Sequence, residues 1–164
     1  MKLQKLYSKV RQALDDYNMI TENDKIAIGV SGGKDSLTLL YALSGIRSFY
    51  PVPFELVAIA VDLGYEGQFY SFAPVTQLDG SGLTIIRPLM YVGESDVKGF
   101  KNKYNLPVCK NPCPYDGHTR REYVKQLVRQ LNMENPGVKK RLFSAIQNGN
   151  IDDWMKCTKP SDAS

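Results

Sequence analysis

The chain is poor in the residues that build metal centres and disulfide frameworks: one histidine and three cysteines in 164 residues. The single histidine, His118, follows a stretch with prolines at 107, 112 and 114 and reads as a loop residue near a helix start. The cysteines, Cys109, Cys113 and Cys157, are odd in number, contain no C-x-x-C pair and match no standard zinc or iron–sulfur spacing. They read as reduced thiols in a cytoplasmic protein rather than as disulfide partners. No stretch approaches the roughly 18 apolar residues that a membrane helix needs. No apolar segment followed by a cleavage site comes after Met1, so nothing suggests secretion. Internal repeats are absent, and low complexity is confined to a short polar tail at 159–164.

What is present is ordinary for a globular chain: 43% hydrophobic residues, a net charge of +4 and a pI near 8.9. That suits one domain, or one with a small appendage. The basic balance hints at an anionic partner. Leu3, Leu6, Val10 and Leu14 recur at helical spacing and predict an amphipathic helix over 3–18, with Lys5, Lys9 and Arg11 turned outward. Residues 25–30 read as a buried strand, 35–47 as a helix, and 54–61 as a continuous apolar strand covered on both faces. Strand, helix, strand makes a βαβ unit with parallel strands. Residues 64–82 read as a long loop and 83–88 as a short third strand. Helices are expected from Ser95, as cap, to about 104, over 119–132 with a Tyr123, Leu127, Leu131 stripe, and from Asn135-Pro136 to Gly149. The division implied is an α/β part at 1–90 and a basic helical part at 91–164.

Between the first strand and its helix lies Ser31-Gly32-Gly33-Lys34-Asp35-Ser36. Adjacent glycines before a helix N-terminus let the backbone approach an anion, and the helix offers it free N–H groups. Ser31 and Ser36 add hydroxyls and Lys34 adds charge, which fits the phosphate chain of a nucleotide. The segment is neither the common phosphate loop G-x-x-x-x-G-K-[ST] nor the dinucleotide fingerprint G-x-G-x-x-G. Asp35 suits such a loop if it holds Mg²⁺ or orients the turn.

The hexapeptide resembles the pyrophosphate loop of the N-type ATP pyrophosphatases. Val61-Asp62-Leu63-Gly64-Tyr65-Glu66-Gly67, the segments 72–76 and 82–89, and Asn111-Pro112-Cys113-Pro114-Tyr115-Asp116-Gly117 are similar to the tRNA 2-thiocytidine biosynthesis family within that superfamily. The resemblance covers nearly all of the chain. It lacks, after Gly67, the middle section in which that family carries a C-x-x-C pair and a Gly-His-His-x-x-Asp-Asp stretch.

The resemblance implies a Rossmann-like α/β fold (adenine nucleotide alpha hydrolase-like), with a parallel sheet flanked by helices and a basic helical C-terminal part. It implies ATP and Mg²⁺, a tRNA substrate, an unspecified sulfur donor, and thiolation through an adenylated cytidine. Ser31 to Ser36, Ala60 and Asp62 would bind the nucleotide, with Lys34 and Asp35 taking part in catalysis and Asp35 in metal binding. Cys113 would be the first ligand of a 4Fe-4S cluster, though unligated thiols are the simpler reading. Arg120, Arg121, Lys125, Arg129, Lys139, Lys140 and Arg141 are the candidate RNA contacts, and Arg121, Lys125 and Arg129 share one helix face. Two alternatives stay open: a non-catalytic ATP- or RNA-binding remnant, and an amide- or amine-forming ligase like tRNA-lysidine synthetase. Without the middle section, sheet edges are left that a homodimer would cover.

Overall fold

A computed structural model describes residues 1–60, 73–78, 80–109, 120–149, 151 and 154. The chain forms two compact units, Met1–Asn111 with Cys157–Ser164, and Pro112–Lys156. The first unit runs on past residue 90 because the following helix puts Val97 and Phe100 into its core.

In the first unit, α1 (Leu3–Asp16) buries Leu6, Val10, Ala13 and Leu14, the expected stripe. It ends two residues early, and Asn18 takes a left-handed φ of 42°. β1 (Asp24–Val30) and β2 (Phe54–Ala60) pair in parallel, from Asp24 beside Phe54 to Val30 beside Ala60. Between them α2 (Lys34–Ile46) buries Thr38, Ala42, Leu43 and Ile46. It packs on both strands, and α1 packs on it. The fold is therefore mixed α/β, with a parallel sheet flanked by helices.

The expectation that β2 is covered on both faces is overturned. Ile26, Ile28, Leu56 and Phe54 turn inward, whereas Val57 and Ile59 on the other face are 51% and 47% exposed. A continuous apolar run records what a strand can bury, not whether an element lies on each face of it.

Two further expectations are corrected. The stretch taken as loop contains β3 (Val75–Gln77), which pairs antiparallel with β4 (Thr84–Ile86). Among the described residues these two form their own sheet, and Val75 and Ile86 rest against the main core. Next, α3 (Glu94–Lys103) begins two residues before the predicted start, capped by Gly93 rather than Ser95. Acids in its first turn and Lys101 and Lys103 in its last complement the helix dipole. Asn105, at φ 47°, and the bond from the Leu106 N–H to the Lys101 carbonyl at 3.1 Å close α3 in a Schellman-type end.

Polar side chains pin α1 in place. The Tyr50 hydroxyl donates to Asp15 at 3.0 Å and the Tyr91 hydroxyl to Asp16 at 2.7 Å. Burial, then these bonds, push the Tyr50 phenol up to about 12 and the Tyr91 phenol higher still. Lys9 does not point freely outward as expected: its Nζ meets Asp96 at 2.6 Å. The hydrogen bond from Lys9 holds the Asp96 carboxyl below its usual range. A depressed carboxyl stabilises the fold above its unfolded value, near 4, and that stabilisation is lost as pH falls through the depressed value. Lys9→Met should therefore flatten the acid limb of stability in urea titrations run from pH 6 to pH 2. At neutral pH the expected loss is only about 1 kcal/mol or less, because both side chains are partly in water. An unchanged acid limb would refute this coupling.

The second unit contains α4 (Arg120–Glu134) and α5 (Val138–Asn148). The α5 start is corrected by two residues: Gly137, with φ 93°, is its cap, not Asn135. Asn132 supplies the missing cap acceptor, its Oδ1 receiving the N–H groups of Gly137 and Lys139 at 3.2 and 3.3 Å. Gly149 ends α5 as expected. The Trp154 ring stands edge-on to Phe143 at 6.3 Å, in keeping with a packing role. Tyr123, Leu127 and Leu131 share the α4 stripe but remain 68%, 43% and 39% exposed. None of the helices is long and apolar enough to cross a membrane, among the described residues.

Candidate functional site

The loop between β1 and α2 gathers the hexapeptide at the carboxyl end of the sheet. Val30 and Ala60 are register partners, so the backbone of Ala60 stands beside the start of the loop. Ligands in open α/β sheets bind at this end of the strands. Asp62, the other candidate of this strand end, lies outside the described residues, as does Cys113.

Gly32 takes φ 71°, a left-handed conformation that a side chain would strain. Gly33 is the N-cap of α2 in an extended conformation, and no side chain caps the helix there. A helix start leaves its first N–H groups without intrahelical partners. With glycine at the cap they stay open to an incoming anion, and the helix dipole adds to the attraction.

Lys34 is the first residue of α2, and its Nζ donates to Asp35 Oδ2 at 2.8 Å. The Lys34 side chain is 28% exposed and that of Asp35 61%. The pair is thus accessible, and an anion arriving at the loop competes with Asp35 for the ammonium. The hydroxyls are partly engaged already. Ser36 Oγ donates to the Gly33 carbonyl at 3.0 Å, and Ser31 Oγ lies 3.4 Å from Ser36 Oγ. Ser36 therefore shapes the first turn as well as lining it. Buried Thr38 donates to the Lys34 carbonyl at 2.7 Å and continues the same bracing one turn on.

A cavity of about 260 Å³ adjoins the loop, with Asp35 and Ser36 in its wall and Ile26, Ile28, Leu39 and Pro88 among its apolar lining. One neighbour was not legible in the sequence: the Cys109 N–H donates to the Gly32 carbonyl at 3.0 Å. The two residues are far apart in the chain, and no spacing rule connects them. The sequence offered Cys109 only as a thiol.

The structure brings Ser31 to Ser36 and Ala60 together. The basic candidates belong to the other unit and are described by themselves. Arg129, Lys139, Lys140 and Arg141 are exposed on α4 and α5, and Lys125 is half-buried. The backbones of Arg120 and Arg121 open α4. Arg141 is committed to the interhelical turn, its guanidinium donating to Asn135 Oδ1 at 2.8 Å and to the Pro136 carbonyl. No group of three or more histidine, cysteine or acidic side chains placed to hold a metal occurs among the described residues.

No protein-family model matches the chain. Individual relatives do. The tRNA-cytidine(32) 2-sulfurtransferase of Geotalea uraniireducens is 28% identical over 88% of this chain and 91% of its own length. The proteins of that name from Geobacter metallireducens and Geobacter sulfurreducens are each 27% identical, over 88% and 90% of this chain and 89% and 91% of theirs. These alignments run over 229 to 233 positions, more than the 164 residues present, so they open gaps inside this chain. The internal shortening read from the sequence is thereby borne out, and the chain is a shortened relative of the tRNA-cytidine(32) 2-sulfurtransferases.

Proposed function

We propose that this chain is a cytoplasmic, ATP-dependent tRNA-modifying protein that replaces the O2 of a cytidine with sulfur. The observation that carries the reading is the uncapped start of α2 behind a left-handed Gly32, with Lys34 as the first helical residue. It is the polyphosphate cradle that such chemistry requires, in a chain similar to enzymes named for thiolating tRNA cytidine.

The cytidine O2 attacks the α-phosphorus of ATP, the bond to the β-phosphate oxygen breaks, and pyrophosphate leaves. Sulfur from a donor then adds at C2, and AMP departs with the former O2. The loop N–H groups, from Ser31 to Ser36, and the Lys34 ammonium hold the charge that develops on pyrophosphate. Asp35, whose carboxylate is accessible, would hold a Mg²⁺, and that ion would neutralise phosphate charge. The cavity beside Ser36 and the backbone at Ala60 give the nucleoside half a wall to rest on. Arg129, Lys139 and Lys140 contribute phosphate contacts to RNA, which position without reading sequence.

A four-thiolate cluster does not fit the residues present: the chain has three cysteines, and Cys109 is drawn up against Gly32. Sulfur delivery is accordingly assigned to no group of this chain. The deciding measurement is pyrophosphate release from ATP with and without bulk tRNA, together with mass spectrometry of the tRNA nucleosides. Release stimulated by tRNA, with 2-thiocytidine as product once a sulfide source is added, is the expected result. ATP binding without any release would instead leave the non-catalytic reading standing.

A further inference from the structure

We propose that Cys109 is a positioning residue of the pyrophosphate loop, acting through its main-chain N–H rather than its thiol. This rests on the nucleotide reading of the loop and adds what sets the loop's shape. The Cys109 N–H donates to the Gly32 carbonyl at 3.0 Å. All described peptide bonds are trans. In a planar trans peptide the C=O and N–H of one unit point in opposite directions. The carbonyl of Gly32 and the N–H of Gly33 belong to one unit. Drawing the carbonyl toward Cys109 therefore turns the Gly33 N–H to the side opposite Cys109, at the helix start. The carbonyl oxygen, which would repel a phosphate, is occupied, and the N–H, which attracts one, is presented.

Glycine at 32 is required on both counts. Its φ of 71° strains any side chain, and a Cβ there would lie 3.1 Å from the Cys109 Cβ and 3.2 Å from its Sγ. A bare backbone admits the strap this close without pushing the Cys109 side chain aside.

The strap is aimed by the end of α3. Asn105 in its left-handed conformation turns the chain out of the helix, and the Val108 N–H bonds back to the Leu106 carbonyl at 2.8 Å. Phe100, fully buried, fixes α3 in the core. The loop is thus braced from outside by a segment whose other end is rooted in the packed interior.

The test exchanges the amide at 109 for an ester in the full chain, by incorporating lactic acid in place of the cysteine, and compares it with Cys109→Ala, which keeps the N–H. Binding of ATP–Mg²⁺ and of adenosine is measured by calorimetry, and the Tm is recorded. Cys109→Ala should bind ATP within about twofold of the wild type, and the ester about tenfold more weakly. Adenosine affinity should be the same in all three. Equal ATP affinity for the ester and the alanine variant overturns the proposal. So does a parallel loss for ATP and adenosine, which marks general damage rather than a misaimed phosphate cradle. A wild-type chain that binds no ATP would remove the nucleotide reading itself, a result distinct from either.

Discussion

Replacing Lys34 with alanine is expected to lower tRNA-stimulated pyrophosphate release by about 100- to 1000-fold, the usual effect of removing one preorganised donor from a developing anion. Lys34 is the first residue of α2, so its ammonium and the open N–H groups of the helix start converge on one place. Among the described residues its ammonium meets the neighbouring Asp35, at 2.8 Å, a pair whose loss costs the fold little. The loss should therefore fall on turnover, with the Tm of Lys34→Ala close to that of the wild type. Lys34→Arg keeps the charge but changes the reach and hydrogen-bond geometry, and should recover only part of the rate. Steady-state assays of pyrophosphate release decide the matter, and a variant within threefold of the wild type would remove Lys34 from the mechanism.

The largest effect on stability is expected from Phe100→Ala. Phe100 is completely buried, with its ring 4.4 Å from that of Tyr104 and 5.4 Å from that of Tyr41. Truncation leaves a cavity that joins α2 to α3, and the cost should be about 3–5 kcal/mol. In a chain of this size that lowers the Tm by about 10 °C. Phe100→Leu, which retains most of the volume, should lose about half as much. Urea denaturation followed by circular dichroism measures both, and a loss below about 1 kcal/mol for the alanine variant would contradict the burial described for Phe100.

The elements with strong periodicity were legible in the sequence. Leu6, Val10 and Leu14 announced α1, and the alternation of apolar segments with a glycine turn announced β1, α2 and β2. The hexapeptide was legible for the same reason: its chemistry is local, six consecutive residues placed by one turn. What escaped was long-range. The bond from Cys109 to Gly32 depends on where α3 ends, which the chain decides through packing of Val97 and Phe100 rather than through any local signal. The exposure of Val57 and Ile59 escaped too, since their hydrophobicity says nothing about what lies opposite. Helix starts shifted by two residues at α3 and α5, because Gly93 and Gly137 serve as caps where Ser95 and Asn135 were the stronger sequence candidates.

The outward face of the parallel pair has a consequence for handling the protein at high concentration. The charges of the two strands, Asp24, Lys25 and Glu55, sit together at their N-terminal ends, Lys25 and Glu55 being 3.6 Å apart. Toward the carboxyl ends the segments read Ile-Ala-Ile-Gly-Val and Leu-Val-Ala-Ile-Ala, with no charge and no proline. Short β-prone windows of that composition are the raw material of intermolecular cross-β stacking. Lys25 and Glu55 thus act as gatekeepers at the N-terminal ends of the pair, through charges that salt readily screens.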